Sequence, residues 1–304
     1  MKEIKYLLLF LIVLMSFSCR NQGNKNGGFV FPEADTIPLA ETERLSSEAI
    51  EEISKNISSP VEIANLLQTI GIPFSPDYLA SALDVNKLQT SFSRAVGLGI
   101  LGADLGYLNM YERTGSSIET LSSIKKLADG IRVGQFFDFE AIKRLSLNKS
   151  NLDSLLFISI DSYSRIDRYL RENNRGHLSA LMITGVWIEG QYLATQVMAS
   201  HPDPVLNDRI GEQKIILDDL LMLLAPWCGR DGEFEQLCSD LQKIREAYRD
   251  INISYRPGDP VTVEKDGGLV VTQTETSVVE MSDQQLSNII QVTKTVRDKL
   301  ISGN

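Results

Sequence analysis

Residues 93–112, SRAVGLGILGADLGYLNMYE, constrain the fold of this chain more than any other stretch. At 100° per residue, Ala95, Gly99, Gly102, Ala103 and Gly106 fall on one narrow line along a helix. Each glycine in a helix interior costs up to about 1 kcal/mol relative to alanine. Several on one line therefore need a compensating contact, and the natural one is a second backbone passing close by. The remaining surface of this helix is apolar nearly all round, as in a helix lying centrally in a bundle. Arg94, Asp104 and Glu112 interrupt the run and exclude a membrane span. The internal GLGILG has the look of a dinucleotide fingerprint but sits within a helical run rather than after a strand, so it carries no such reading.

The rest of the chain repeats helical punctuation. Ser59-Pro60 with Glu62 reads as a helix start, Ser75-Pro76-Asp77 as another, and Ser150 with Asp153 as a third. After the last of these, Leu152, Leu155, Leu156, Ser159, Tyr163, Ile166 and Leu170 recur at steps of three and four, which marks one buried face. The short connections RTGSS and NNRG imply antiparallel helical hairpins. Residues 86–131 and 150–200 each suggest a long helix, a tight turn and a second long helix, but the consensus positions of a tetratricopeptide repeat do not recur. Only PVTVE and LVVTQTE read as strands, joined through Asp266-Gly267 in a tight hairpin over residues 260–275. Ser282 and Gln285 then form a capping box for a last helix with Leu286, Ile289, Ile290, Val296, Leu300 and Ile301 on its apolar side. The expected fold is mainly α: an irregular multi-helix bundle of antiparallel hairpins, possible as a helical repeat, with one late β-hairpin and a C-terminal helix. Residues 41–304 form its single domain.

Two carboxylates sit on apolar helical faces. Asp104 shares a face with Tyr107 and Tyr111, and Glu189 lies among Leu178, Met182, Gly185, Val186 and Leu193, with Gln196 two turns along. Structural pairing with an arginine or a tyrosine hydroxyl is the first expectation for both, with Arg165 and Arg168 as available cations. The alternative is a ligand or enzymatic pocket between helices 93–112 and 178–198, served by Asp104, Tyr107, Tyr111 and Glu189. Burial would push the pKa values of its two carboxylates apart. Convergence on one cavity favours the pocket, and arginines in a sealed core favour pairing.

Little else carries chemistry. His177, at a helix start, reads as a capping or surface residue, and His201 ends a helix in a proline-rich turn. Neither has a glutamate three residues before it, and no zinc, phosphate-loop or nucleophile-elbow motif occurs. No catalytic residue, cofactor or metal is therefore assigned.

The N-terminus gives an address. Lys2 and Lys5 precede an apolar run from Tyr6 to Met15, then Ser16-Phe17-Ser18 and Cys19. The order of regions is that of a secretory signal peptide over residues 1–18. Cys19 resembles the lipid-modified cysteine of bacterial lipoproteins, although Ser16 stands where their lipobox has leucine; a plain signal peptide and an uncleaved anchor are the alternatives. The resemblance implies acyl chains, palmitate among them, on Cys19, and several buried chains at about 0.8 kcal/mol per CH₂ make a durable anchor. Residues 20–28, RNQGNKNGG, contain no apolar residue and read as the start of a flexible tether covering 19–40. They also contain no acidic residue, which favours a periplasm-facing place on the outer membrane. GADLGYLNMYE and WIEGQYLATQ resemble helical lipoproteins of unknown function from Bacteroidota, a resemblance that implies no activity.

Charge narrows the partners. The whole chain carries −10, and loss of residues 1–18, with two lysines and one glutamate, leaves −11. Such a surface is a poor match for nucleic acid. Past Cys19 the cysteines are Cys228 and Cys238, which in an oxidising compartment either pair or remain two free thiols. The leading functional expectation is a lipid-anchored, non-enzymatic binding or scaffold module with an envelope protein as partner, Trp187, Tyr192 and Trp227 being conceivable contact residues. The rival is the pocket between the two helices.

Overall fold

The computed structural model describes residues 66–146, 162, 164–265 and 268–302. The chain divides into Met1–Ala34 and Asp35–Asn304, and every described residue belongs to the second unit. Its helices are α1 (Ser91–Met110), α2 (Thr114–Gly130), α3 (Phe139–Ser146), α4 (Gly176–Ser200), α5 (Pro204–Leu224), α6 (Gly232–Ala247) and α7 (Asp283–Ser302). Helical residues 164–172 precede α4. An antiparallel pair, β1 (Asn252–Lys265) and β2 (Gly268–Glu280), is inserted before α7. The fold is mainly helical with a late two-stranded hairpin and a C-terminal helix, as the periodicity predicts.

The small-residue line makes the central contact. An added Cβ on Gly99 of α1 would stand 2.1 Å from the Met182 carbonyl oxygen of α4, and one on Gly185 would stand 2.2 Å from the Val96 carbonyl oxygen of α1. The two backbones touch through reciprocal glycines, which explains their tolerance inside helices. Ala95 and Ala103 of the same line are fully buried. Around this pair, α4 also packs against α5 and α7, and α6 bridges α5 and α7. Trp187, Tyr192 and Trp227 are core residues, and the Trp187 indole donates to Gln213 Oε1 at 3.0 Å.

Local signals set the helix ends. Thr90, Asp203 and Asp231 cap α1, α5 and α6 by accepting from backbone amides. The Ser282–Gln285 box opens α7: Ser282 N donates to Gln285 Oε1 at 2.7 Å, and Gln285 N to Ser282 Oγ at 3.3 Å. Three helix C-termini close in a way the composition conceals. Glu112, Arg132 and Asn174 adopt φ of 55°, 58° and 56°. The next amides, of Arg113, Val133 and Arg175, return to Leu108 O, Ala128 O and Leu170 O at 2.9, 2.8 and 2.7 Å. These are left-handed helix ends without glycine.

Several expectations need correction. Ser75-Pro76-Asp77 starts only a 3-10 turn, Pro76–Tyr78, because Leu79 turns extended and the Ala80 amide binds the Asp104 side chain instead of continuing a helix. The hairpin runs from Asn252 to Glu280 rather than over 260–275. Its ladder extends past Pro257 through an irregularity between Pro257 and Pro260, and Val279 packs on Gly211 of α5. His177 is not at the surface but 4 % exposed, near Trp227 and Phe234 with ring centroids 6.3 and 6.2 Å away. Ile166 and Leu170 are fully buried on their helical face, and its earlier positions, like Ser59-Pro60 and Asp266-Gly267, lie outside the described residues.

Candidate functional site

Asp104 and Glu189 do meet. α1 and α4 touch at Gly99 and Gly185, and in each helix the carboxylate follows the contact glycine by about one turn. α7 supplies the third member. Arg297 Nε donates to Glu189 Oε2 at 2.9 Å and Arg297 Nη2 to Glu189 Oε1 at 2.7 Å. The Arg297 guanidinium carbon also lies 4.1 Å from the centre of the Tyr192 ring. Glu189 is 0 %, Asp104 3 % and Arg297 3 % exposed. This is a planar two-point ion pair in the core, with a second carboxyl group beside it.

Both carboxyl groups are displaced upward. Burial pushes Asp104 well above the ordinary carboxylate range, and the charge of Glu189 pushes the same way. The Ala80 amide, donating to Asp104 Oδ2 at 2.9 Å, only partly offsets this. Burial raises Glu189 too, but Arg297 opposes it through both hydrogen bonds and charge. Arg297 thus holds Glu189 below where burial alone would put it, while the hydrogen bond on Asp104 comes from the Ala80 amide. Asp104 Oδ1 is buried without a hydrogen-bond partner.

Tyr107 and Tyr111 do not join this group. The Ser75 amide donates to the Tyr107 hydroxyl at 2.9 Å, and the Tyr111 hydroxyl donates to Ile72 O at 2.8 Å. Phe74 stacks on Tyr107 with centroids 5.4 Å apart, and the Arg113 guanidinium lies over the Phe74 ring at 4.3 Å. The two tyrosines pin the segment entering the Pro76–Tyr78 turn. Burial raises both phenols, Tyr111 to about 12. Arg165 bonds Phe136 O at 3.2 Å instead of either carboxylate.

The four residues named for a pocket between helices 93–112 and 178–198 do not act as one group. The two backbones touch at Gly99 and Gly185, Glu189 pairs with Arg297, Asp104 accepts from the Ala80 amide, and Tyr107 and Tyr111 hold the segment before the Pro76–Tyr78 turn. What sequence reasoning missed was Arg297, whose position on the buried line Ile289, Thr293, Val296, Ile301 was the available signal.

A second constellation lies at the α5–α6 turn, where Cys228 and Cys238 are bonded with Cα atoms 5.7 Å apart. Their neighbours Trp227 and Phe234 lie 6.4 Å apart by ring centroid, and Phe92 of α1 meets Phe234 edge-on at 5.1 Å. Among the described residues no group of histidine, cysteine and carboxylate side chains could hold a metal ion, and no helix is long and apolar enough to cross a membrane. Cys19 lies outside the described residues. No known protein family, characterised protein or solved structure matches this chain.

Proposed function

We propose that the protein is a lipid-anchored cell-envelope module, held on the periplasmic face of the outer membrane through Cys19, that binds or scaffolds a protein partner rather than catalysing a reaction. The observation that carries this reading is Cys19 itself, placed after a basic start, a ten-residue apolar run and Ser16-Phe17-Ser18, and followed by a polar tether. The internal use of the polar groups supports the non-enzymatic half. Glu189 is engaged by Arg297 and Asp104 by the Ala80 amide, and both are buried in the core. A surface of net charge −11 after cleavage suits a partner with basic contacts.

Metabolic labelling with an alkyne-bearing palmitate, for wild type and Cys19→Ala in the native membrane, tests the anchor. The wild type takes up label and partitions with the membrane; Cys19→Ala does neither. Photocrosslinking from positions 215, 222 and 255, where Ile215, Met222 and Tyr255 are exposed, tests the scaffold. A discrete partner captured by wild type and lost in Cys19→Ala is expected. An unlabelled wild type refutes the anchor, and a labelled wild type with no crosslinked partner refutes the scaffold.

A further inference from the structure

We propose that the outer edge of β2 pairs antiparallel with the same edge of a second copy of this chain, about a twofold axis at Thr274, so that two hairpins join into one four-stranded sheet. The sheet consists of β1 and β2 alone, so among the described residues each strand has one edge with no strand beside it. The alternate N–H and C=O groups along such an edge are a template for another strand. α5 meets β2 through Val279, which rests on Gly211, and through the Ser277 hydroxyl, which bonds Glu212. Positions 277 and 279 share one face of the strand, so α5 lies under a face of β2 rather than along its edge.

The two edges differ in how they are guarded. β1 contains Pro257 and Pro260, an irregularity between them, and Arg256, Asp259, Glu264 and Lys265. Proline, charge and local irregularity all discourage an edge strand from taking a neighbour. β2 runs unbroken from Gly268 to Glu280, holds no proline, lysine or arginine, and carries Glu275 as its sole charge before the last residue.

The order of residues in β2 selects the occupant. Alternate positions share a face, and on one face Val270, Thr272, Thr274, Thr276 and Val278 read the same in both directions. A twofold axis at Thr274 sets position 270 opposite 278 of the other copy, 272 opposite 276, and 274 opposite itself. On the other face Leu269 stands opposite Val279, Val271 opposite Ser277 and Gln273 opposite Glu275. β-Branched and Thr–Thr pairs standing directly opposite stabilise a sheet, whereas like charges there destabilise it. Glu275 is opposite Gln273 and only diagonal to its own counterpart. A twofold contact must be complementary to itself, and this mirror order supplies that; an unrelated strand has no use for it.

Two measurements on the full-length chain in mild detergent test the pairing. Sedimentation over a concentration series reads the mass of the wild type, and a monomer–dimer equilibrium is expected. Single cysteines in β2 then read the register under mild oxidation, with wild type as the blank for its own cysteines. Opposite Cα atoms in an antiparallel pair lie about 4.5–5.5 Å apart, within the span of a disulfide. Thr274→Cys should therefore form a covalent dimer. Thr272→Cys alone should not, because its counterpart lies four residues along, about 14 Å away; mixing it with Thr276→Cys restores the crosslink. A wild type that stays monomeric throughout overturns the proposal, as do a dimer that Thr274→Cys fails to crosslink, equal crosslinking at 272 and 274, or open-ended oligomers. Should the cysteine variants fail to fold, hydrogen exchange on the wild type decides. Dilution from dimer to monomer should strip protection from alternate β2 amides and spare β1, and any other pattern overturns the pairing.

Discussion

Two glycines five residues apart on one helix should respond to the same substitution in opposite directions. Gly185→Ala places a Cβ 2.2 Å from Val96 O and 3.1 Å from Ile100 N, all backbone atoms of α1. Ordinary contact begins near 3.4 Å, so α1 and α4 must separate by about 1 Å. A radial gap of about 0.5–1 Å already forfeits a quarter to a half of the dispersion energy across an interface. Overpacking of a close-packed core costs about 1–3 kcal/mol, and rigid backbone on both sides places this site at the upper end. Against it stands a helix-propensity gain of about 1 kcal/mol from replacing glycine. The net expectation is a loss of about 2 kcal/mol. Gly190→Ala, one and a half turns along, meets nothing within 4 Å and keeps only the propensity gain, so it should stabilise by up to about 1 kcal/mol. Urea denaturation followed by circular dichroism, with an unchanged slope, measures both. Adding Gly99→Ala to Gly185→Ala should cost less than the sum of the singles, since the helices are already apart. A Gly185→Ala protein as stable as wild type would refute the backbone contact as the reason for these glycines.

Two further outcomes follow from other parts of the fold. Replacing Glu112 or Arg132 by glycine relieves the left-handed conformation and should raise stability by about 0.5–1 kcal/mol, seen as a higher melting temperature; Asn174→Gly should gain less, because asparagine tolerates that region. Reducing the Cys228–Cys238 bond should cost about 2–3 kcal/mol, read as a lower urea midpoint, since the bond closes a loop of roughly ten residues in the unfolded chain.

The class of fold and its centre were legible because they rest on periodicity. The glycine line in α1 required a backbone neighbour, and α4, with its own Gly185, provides it. Ser282 and Gln285 announced α7 because a capping box is a local interaction between residues three apart. The hairpin was found but its length was not: the proline at 257 and the irregularity before Pro260 interrupt the alternation that marks a strand, while the ladder continues on both sides. The helix ends at Glu112 and Arg132 were illegible because the bond that closes them is backbone to backbone.

The candidate site divides along the same line. Sequence alone determined that Asp104 and Glu189 lie on apolar faces and that burial would act on them. These follow from helical geometry, which is local along the chain. Only the tertiary structure decided that Glu189 pairs with Arg297, 108 residues beyond it, that Asp104 accepts from the Ala80 amide, and that Tyr107 and Tyr111 serve Ser75 and Ile72. The physical reason is that a buried charge is satisfied by whichever donor the packing of distant helices brings within about 3 Å, and spacing along the chain does not encode that distance.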